Sequence, residues 1–239
     1  MYILPNIRIV GLALFLEKER TLVVGDLHIG YEEALNRGGL LVPRVYFKEM
    51  MQNLEKIMRE VKPELIVLLG DVKHEFGTIS RQEWKDALSL LDYLTAKTRV
   101  VILKGNHDKI LGPIARRKEV ELRESLSIGD VLLCHGDKLM PVKSAVFKKA
   151  KTMIIGHEHP AIGIRDSARI ERYKCFLRGK YGRKNLIVVP SFNFVTEGTD
   201  VLQEKLLSPF LKNLDDFEAF VVADKTYAFG KIGKMSRLN

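Results

Sequence analysis

The chain has 239 residues, 46% of them hydrophobic and 29% charged, with 18 Gly and 8 Pro; this excludes disordered and fibrous classes and suffices for one large α/β domain. No apolar run approaches the ~18 residues of a membrane helix, and Met1-Tyr-Ile-Leu-Pro-Asn6 lacks the basic region and cleavage site of a signal peptide, so a cytoplasmic protein with no membrane partner is expected. Thirty-nine Lys and Arg against 30 Asp and Glu give +9, a balance that favours polyanionic partners but carries no information about fold.

In chain order, Ile7 to Phe15 reads as extended, Glu17–Arg20 as a turn and Thr21 to Gly25 as a short buried strand. Phe47, Met50, Met51, Leu54, Ile57, Met58 and Val61 recur at helical spacing, and Pro63 stops that helix. Leu65–Leu69 is an apolar run of parallel-strand type. Ser80 with Glu83 makes a capping box, opening a helix whose inner face carries Trp84, Ala87, Leu88, Leu91 and Leu94. Val100–Leu103 is the next strand. Leu126–Ile128 and Val131–Cys134 flank Gly129-Asp130 as a hairpin, and a short helix near Ser144–Ala150 precedes the strand Thr152–Ile155. Arg169–Lys180, Leu186–Val189, Phe217–Ala223 and Thr226–Phe229 are strand-like. Strand–helix alternation in the first half and mostly strand in the second imply a two-sheet α/β sandwich. Residues 1–239 form one domain in this reading, with a small basic β appendage at about 160–185.

The six histidines, at 28, 74, 107, 135, 157 and 159, all lie just after or near an apolar run. They fall into Asp26-x-His28, Gly70-Asp71-x-x-His74, Gly105-Asn106-His107-Asp108, Cys134-His135-Gly136-Asp137 and Gly156-His157-x-His159. Carboxyl ends of strands in open α/β sheets are where loops converge on one crevice. A single histidine there is an ordinary structural residue; five such clusters using every histidine point to a metal site. Cys134 and Cys175 form no cluster, which excludes zinc ribbons and iron–sulfur sites. Mixed Asp, His and Asn ligands suit Mn, Fe, Zn or Co. Asp26, His28, Asp71, Asn106, His135, His157 and His159 are too many for one tetrahedral centre. They divide into two ions sharing a carboxylate, the clamp used for in-line phosphoryl displacement.

In order and spacing, these blocks resemble the calcineurin-like metallophosphoesterases, whose pattern is DxH, GDxx, GNH(D/E), H and GHxH. The resemblance covers the chain to about Val201. It implies a four-layer α/β/β/α sandwich of two mixed sheets and two divalent ions, Mn²⁺ foremost with Fe, Zn, Co or Ni as alternatives. By that likeness Asp26, His28 and His159 hold one ion, Asn106, His135 and His157 the other, and Asp71 bridges them. His107 contacts the phosphate and protonates the leaving oxygen. An acid role beside two cations needs a partner favouring the protonated ring, and the adjacent Asp108 is the candidate. His74 is either a substrate contact beside Asp71 or an ordinary loop histidine.

The second and third blocks differ from the GDxVDRG and RGNHE of the protein Ser/Thr phosphatases. Gly70-Asp-Val-Lys-His74-Glu75 and Asp26-Leu-His-Ile-Gly-Tyr31 are similar to the double-strand-break repair nucleases, although the chain is shorter than those. Gly38–Pro43 and Pro190–Asn193 fit the short archaeal phosphoesterases related to them and the bacterial DNA-ligase-associated metallophosphoesterases. DNA-repair proteins are the partners this branch implies.

Residues 165–184 hold eight basic side chains against two acidic ones, and Arg172, Lys174 and Arg178 alternate with Tyr173, Cys175 and Leu177. This reads as a half-buried strand with a cationic outer face, suited either to a phosphodiester backbone or to discouraging strand aggregation. The expected function is two-metal hydrolysis of phosphodiesters, foremost in nucleic acid. The alternatives are a hydrolase of small phosphodiesters or nucleotides, and a non-catalytic nucleic-acid-binding protein that retains the fold.

Overall fold

A computed structural model of the chain describes residues 1–77, 79–141, 143–166 and 169–235. In the first sheet the spatial order is β1 (Tyr2–Leu4), β2 (Ile7–Val10), β3 (Ala13–Leu16), β4 (Thr21–Val24), β5 (Leu65–Leu68), β6 (Arg99–Leu103) and β7 (Glu121–Arg123). Its first four strands are antiparallel neighbours and the last four run parallel. The run Ile7 to Phe15, expected as extended, is therefore a hairpin whose turn falls at Gly11, where φ is 57°.

The second sheet runs β8 (Ser125–Ile128), β9 (Val131–Cys134), β10 (Thr152–Ile155), β13 (Lys184–Val188), β12 (Arg169–Tyr181), β11 (Pro160–Asp166) and β14 (Thr199–Asp200). Strands β15 (Glu218–Val222) and β16 (Thr226–Lys231) extend it from β12. The expected β8–β9 hairpin is present, while β9, β10 and β13 are parallel. The basic segment is continuous with this sheet, since β12 pairs β11 through its first half and β13 and β15 through its second. Residues 167 and 168 of that segment lie outside the described residues.

Strands buried on both faces read as continuous apolar runs. Here Val23, Val67 and Val101 meet Leu133, Ile154, Phe176 and Ile187 between the sheets. Their neighbours Leu22, Val24, Ile66 and Leu68 pack outward against the helical layer. That layer contains α1 (Tyr31–Arg37), α2 (Tyr46–Val61), α3 (Arg81–Thr95) and α4 (Gly112–Arg117). Helix α2 buries Met50, Leu54, Ile57, Met58 and Val61, and stops at Lys62 in the left-handed region before Pro63. The capping box of α3 is made: Ser80 Oγ accepts from Glu83 N at 3.0 Å, and Glu83 Oε2 accepts from Ser80 N at 3.3 Å.

The far face of the second sheet is covered by Phe147 of the short α5 (Ala145–Lys149), by Phe210, Leu211, Leu214 and Phe217, and by Ile232 of α6 (Ile232–Met235). The four layers are present, but the fourth is mostly irregular chain. Among the described residues no helix is long and apolar enough to cross a membrane.

Candidate metal centre

Parallel pairing of β4, β5 and β6 brings three carboxyl ends to one edge, and β9 with β10 does the same in the facing sheet. All seven expected ligands sit on the loops that leave these five ends. Five of them have left-handed backbones: Asp26 (φ 50°), His28 (44°), Asp71 (46°), His157 (66°) and His159 (50°). Asp and His are among the few side chains that tolerate this region. The loops also approach each other more closely than a side chain permits. A Cβ on Gly105 would lie 2.1 Å from Asp71 Oδ1, and one on Gly156 would lie 2.4 Å from Asp26 Oδ2.

The donor atoms form adjoining groups. Asp26, His28 and His159 make one: His28 Nε2 is 3.2 Å from His159 Nε2, which is 3.3 Å from Asp26 Oδ1. Asp71, His135 and His157 make another, and His135 Nε2 lies 3.0 Å from Asn106 Oδ1 and 3.3 Å from Asp71 Oδ2. Asp71 Oδ2 is also 3.8 Å from His28 Nε2, so it faces both groups. His135 Nδ1 donates to Leu69 O at 3.0 Å, which fixes the ring and leaves Nε2 for the site. His157 N donates to both Asp26 oxygens, and Asn193 Nδ2 donates to Leu27 O and His28 O. These bonds fasten the loops to one another.

Electrostatics prepare most of these groups for a cation. Burial opposes charge on Asp26 and Asp71, yet their histidine neighbours hold both carboxyls below the ordinary range. Burial, with His159 beside it, holds His28 down at about 3; burial and His135 also lower His157. Anionic carboxylates and neutral imidazoles are the states that metal ligation requires. His135 is the exception. Burial opposes its charge, but the hydrogen bond to Asp71 and the field of Asp26 raise it to about 9, so a proton sits where a cation's charge would. The donor set therefore fits divalent ions. Metal binding to the metal-free protein should release this proton, and affinity should rise about tenfold per pH unit from 7 to 9, then level off. Calorimetry in buffers of different ionisation enthalpy measures the release; none at pH 7.5 would contradict a protonated His135.

His107 lies on the same rim, with Nε2 3.8 Å from Asp71 Oδ2 and its backbone N donating to Asp71 Oδ1 at 2.9 Å. Its Nδ1 donates to the His74 carbonyl, and the Phe76 ring lies over it with centroids 3.6 Å apart. The ring's partner is thus the His74 carbonyl. Asp108, the expected partner, is buried and accepts from Gly105 N at 3.0 Å, Val72 N at 3.0 Å and Lys73 N at 3.4 Å. It ties two ligand loops together, and burial raises it to about 6.

His74 does join the site. Its ring nitrogens group with those of His28 and His107, it stacks on Tyr31 at 4.2 Å, and burial with His107 nearby lowers it to about 4. Glu83 holds this loop by accepting from His74 N and Glu75 N, a role its capping-box position does not announce.

The cationic outer face is corrected. Phe176 packs between the sheets, whereas Cys175 and Leu177 face the outer layer, so the even positions of β12 turn toward the first sheet. Arg178 donates to Ile3 O and pairs with Glu218, and Arg172 pairs with Glu204 at 2.8 Å. Lys174 is half-buried, donates to Ser191 Oγ at 2.5 Å and Ser191 O at 3.1 Å, and is pushed down to about 7 by loss of solvent around it. The three residues do not form one exposed strip.

No curated protein matches the chain. Its fold is similar to that of the nuclease MPE of Pseudomonas putida, with a TM-score of 0.66, 17% identity and 91% of each chain covered. The phosphoesterase YfcE of E. coli is a more distant likeness, with a TM-score of 0.46 and 14% identity over 88% of this chain and 97% of that one. Residues 19–221 match the calcineurin-like phosphoesterase family, a span that takes in the five strand ends that carry the expected ligands. The histidine and aspartate clusters at those ends are the metal-binding apparatus of a phosphoesterase, and the chain belongs to the calcineurin-like phosphoesterase family.

Proposed function

We propose that the protein is a two-metal phosphodiesterase acting on nucleic acid. The carrying observation is Asp71, whose carboxylate faces two donor groups at once, with His107 beside it on the rim. Asp26, His28 and His159 would hold one ion, Asn106, His135 and His157 the other, with Asp71 between them; Mn²⁺ is the expected metal. Bound divalent ions supply Lewis-acid stabilisation of phosphate oxygens and an activated water.

The chain's own part is to position and to protonate. With Nδ1–H committed to the His74 carbonyl, a protonated His107 offers Nε2–H to the leaving oxygen as that bond breaks. Phe76 covers one face of the ring, and Asp108 keeps its loop against the Asp71 loop.

The net charge of +9 and the nuclease of similar fold support nucleic acid as substrate. Engagement of Arg172 and Arg178 with Glu204 and Glu218 favours a second reading, a small phosphodiester. Manganese-loaded protein should hydrolyse bis(p-nitrophenyl) phosphate and lose that activity to EDTA. Oligonucleotide binding should weaken with salt by about 0.7–0.9 in log K per log unit of salt for each phosphate contacted. Diester hydrolysis without oligonucleotide binding would select the small substrate, and no hydrolysis would remove the enzyme reading.

A further inference from the structure

A cleft of about 560 Å³ lies beside the metal centre, bounded by α2, the β2–β3 turn, the start of β12 and the β15–β16 turn. That volume is typical of small-molecule sites. Strand directions place its mouth. β2 is parallel to β4 through two antiparallel steps, and β15 is parallel to β10 through β12 and β13. The ends of β2 and β15 therefore lie on the edge that carries the ligands.

The cleft and the metal centre share a wall. Phe194 lines both the cleft and the recess beside His28, and its ring stands 5.7 Å from Phe192. Between those rings, Asn193 is hydrogen-bonded to the carbonyls of Leu27 and His28. The wall is thus fixed relative to the first metal loop.

The lining has two characters, one apolar and one charged, and the charged part includes Glu60, paired with Arg8, Asp224, which accepts from Tyr227, and Glu197. Val10, Leu12, Ile57 and Phe194 give an apolar surface with an aromatic face. Asn53, whose Nδ2 is used on Glu49 O, leaves its Oδ1 as an acceptor, and exposed Lys56 has no ion pair among the described residues. Lys225, on the facing turn, lies 5.1 Å from the Tyr227 ring centroid. A planar heterocycle with a hydrogen-bonding edge matches the first character, and a neighbouring phosphate matches the two lysines. A purely aliphatic ester group would use neither.

We infer that this cleft is the subsite for the nucleoside retained on the scissile phosphate, with the next phosphate of an oligonucleotide at Lys56 and Lys225. This rests on the phosphodiesterase reading above.

Thymidine 5′-(p-nitrophenyl phosphate) and methyl p-nitrophenyl phosphate share a leaving group and differ only in the retained ester. The manganese enzyme should show a kcat/KM at least about tenfold higher for the nucleoside ester, the order expected from one base stacked on an aromatic face. Ala223→Trp, on the exposed β15–β16 turn that lines the cleft and carries none of the metal donors, should fill the cleft and erase that preference without changing the methyl ester rate. Calorimetry with thymidine 5′-monophosphate and metal-free protein should show binding that Ala223→Trp weakens at least fivefold. Equal kcat/KM for the two esters, or an equal loss for both in Ala223→Trp, would overturn the subsite. If neither ester is hydrolysed, the phosphodiesterase reading falls, whereas monophosphate binding lost in Ala223→Trp would still assign the cleft.

Discussion

Asp71→Ala should lower kcat on bis(p-nitrophenyl) phosphate by about 10³-fold or more, because several kcal/mol of metal-borne stabilisation depend on its position. Its carboxylate lies 3.3 Å from His135, 3.8 Å from both His28 and His107, and accepts the His107 backbone N–H. Removing it uncouples the donor groups and withdraws the hydrogen bond that keeps His135 protonated. Two effects are therefore expected together. Metal content measured by mass spectrometry drops below two ions per chain, and the proton released on metal binding near pH 7.5 disappears. A variant that keeps two ions and activity within tenfold of the parent would show that Asp71 is not shared.

His107→Asn should lower kcat by about 10²–10⁴-fold while leaving metal content unchanged, the range typical of a lost general acid. His107 lies 3.8 Å from Asp71 Oδ2, but the two groups divide all seven other donors without it. The loss should be large for alkyl leaving groups and small for p-nitrophenolate, which departs without a proton. Equal losses would assign His107 to holding the phosphate. Loss of metal would instead make it a ligand, as its grouping with His28 and His74 permits.

The site is more legible in the sequence than its surroundings. Each ligand block is a local pattern at the end of an apolar run, and the parallel pairing that gathers the blocks follows from those same runs. Asp108 could not be read this way, because its partners Val72 and Lys73 are more than thirty residues away. Alternation along β12 identified two faces but not which was inward. Both faces of that strand are covered at Cys175–Leu177, one by the first sheet and one by Phe210 and Phe217, so polarity did not mark the outside there. Lys174 and Arg178 sit on the inward face because Ser191, Ile3 and Glu218 receive their donors. Helix α1 buries no residue and so has no apolar period, and β11 opens on Pro160 and contains Gly163, weak strand residues.

The left-handed backbones at Asp26, His28, Asp71, His157 and His159 restrict how such a centre can decay. A ligand replaced by Val, Ile or Thr loses its donor atom and also places a branched Cβ in a conformation that costs roughly 1–3 kcal/mol. Gly loses the donor alone, and Asn tolerates the backbone while exchanging a carboxylate or imidazole for a neutral, weaker amide oxygen. Descendants of this chain that abandon metal chemistry while staying folded should carry Asn or Gly at these five positions, and branched residues first at Asn106 or His135, whose backbones are ordinary. Inactive relatives would then be recognisable by which residue replaced each ligand, before any assay.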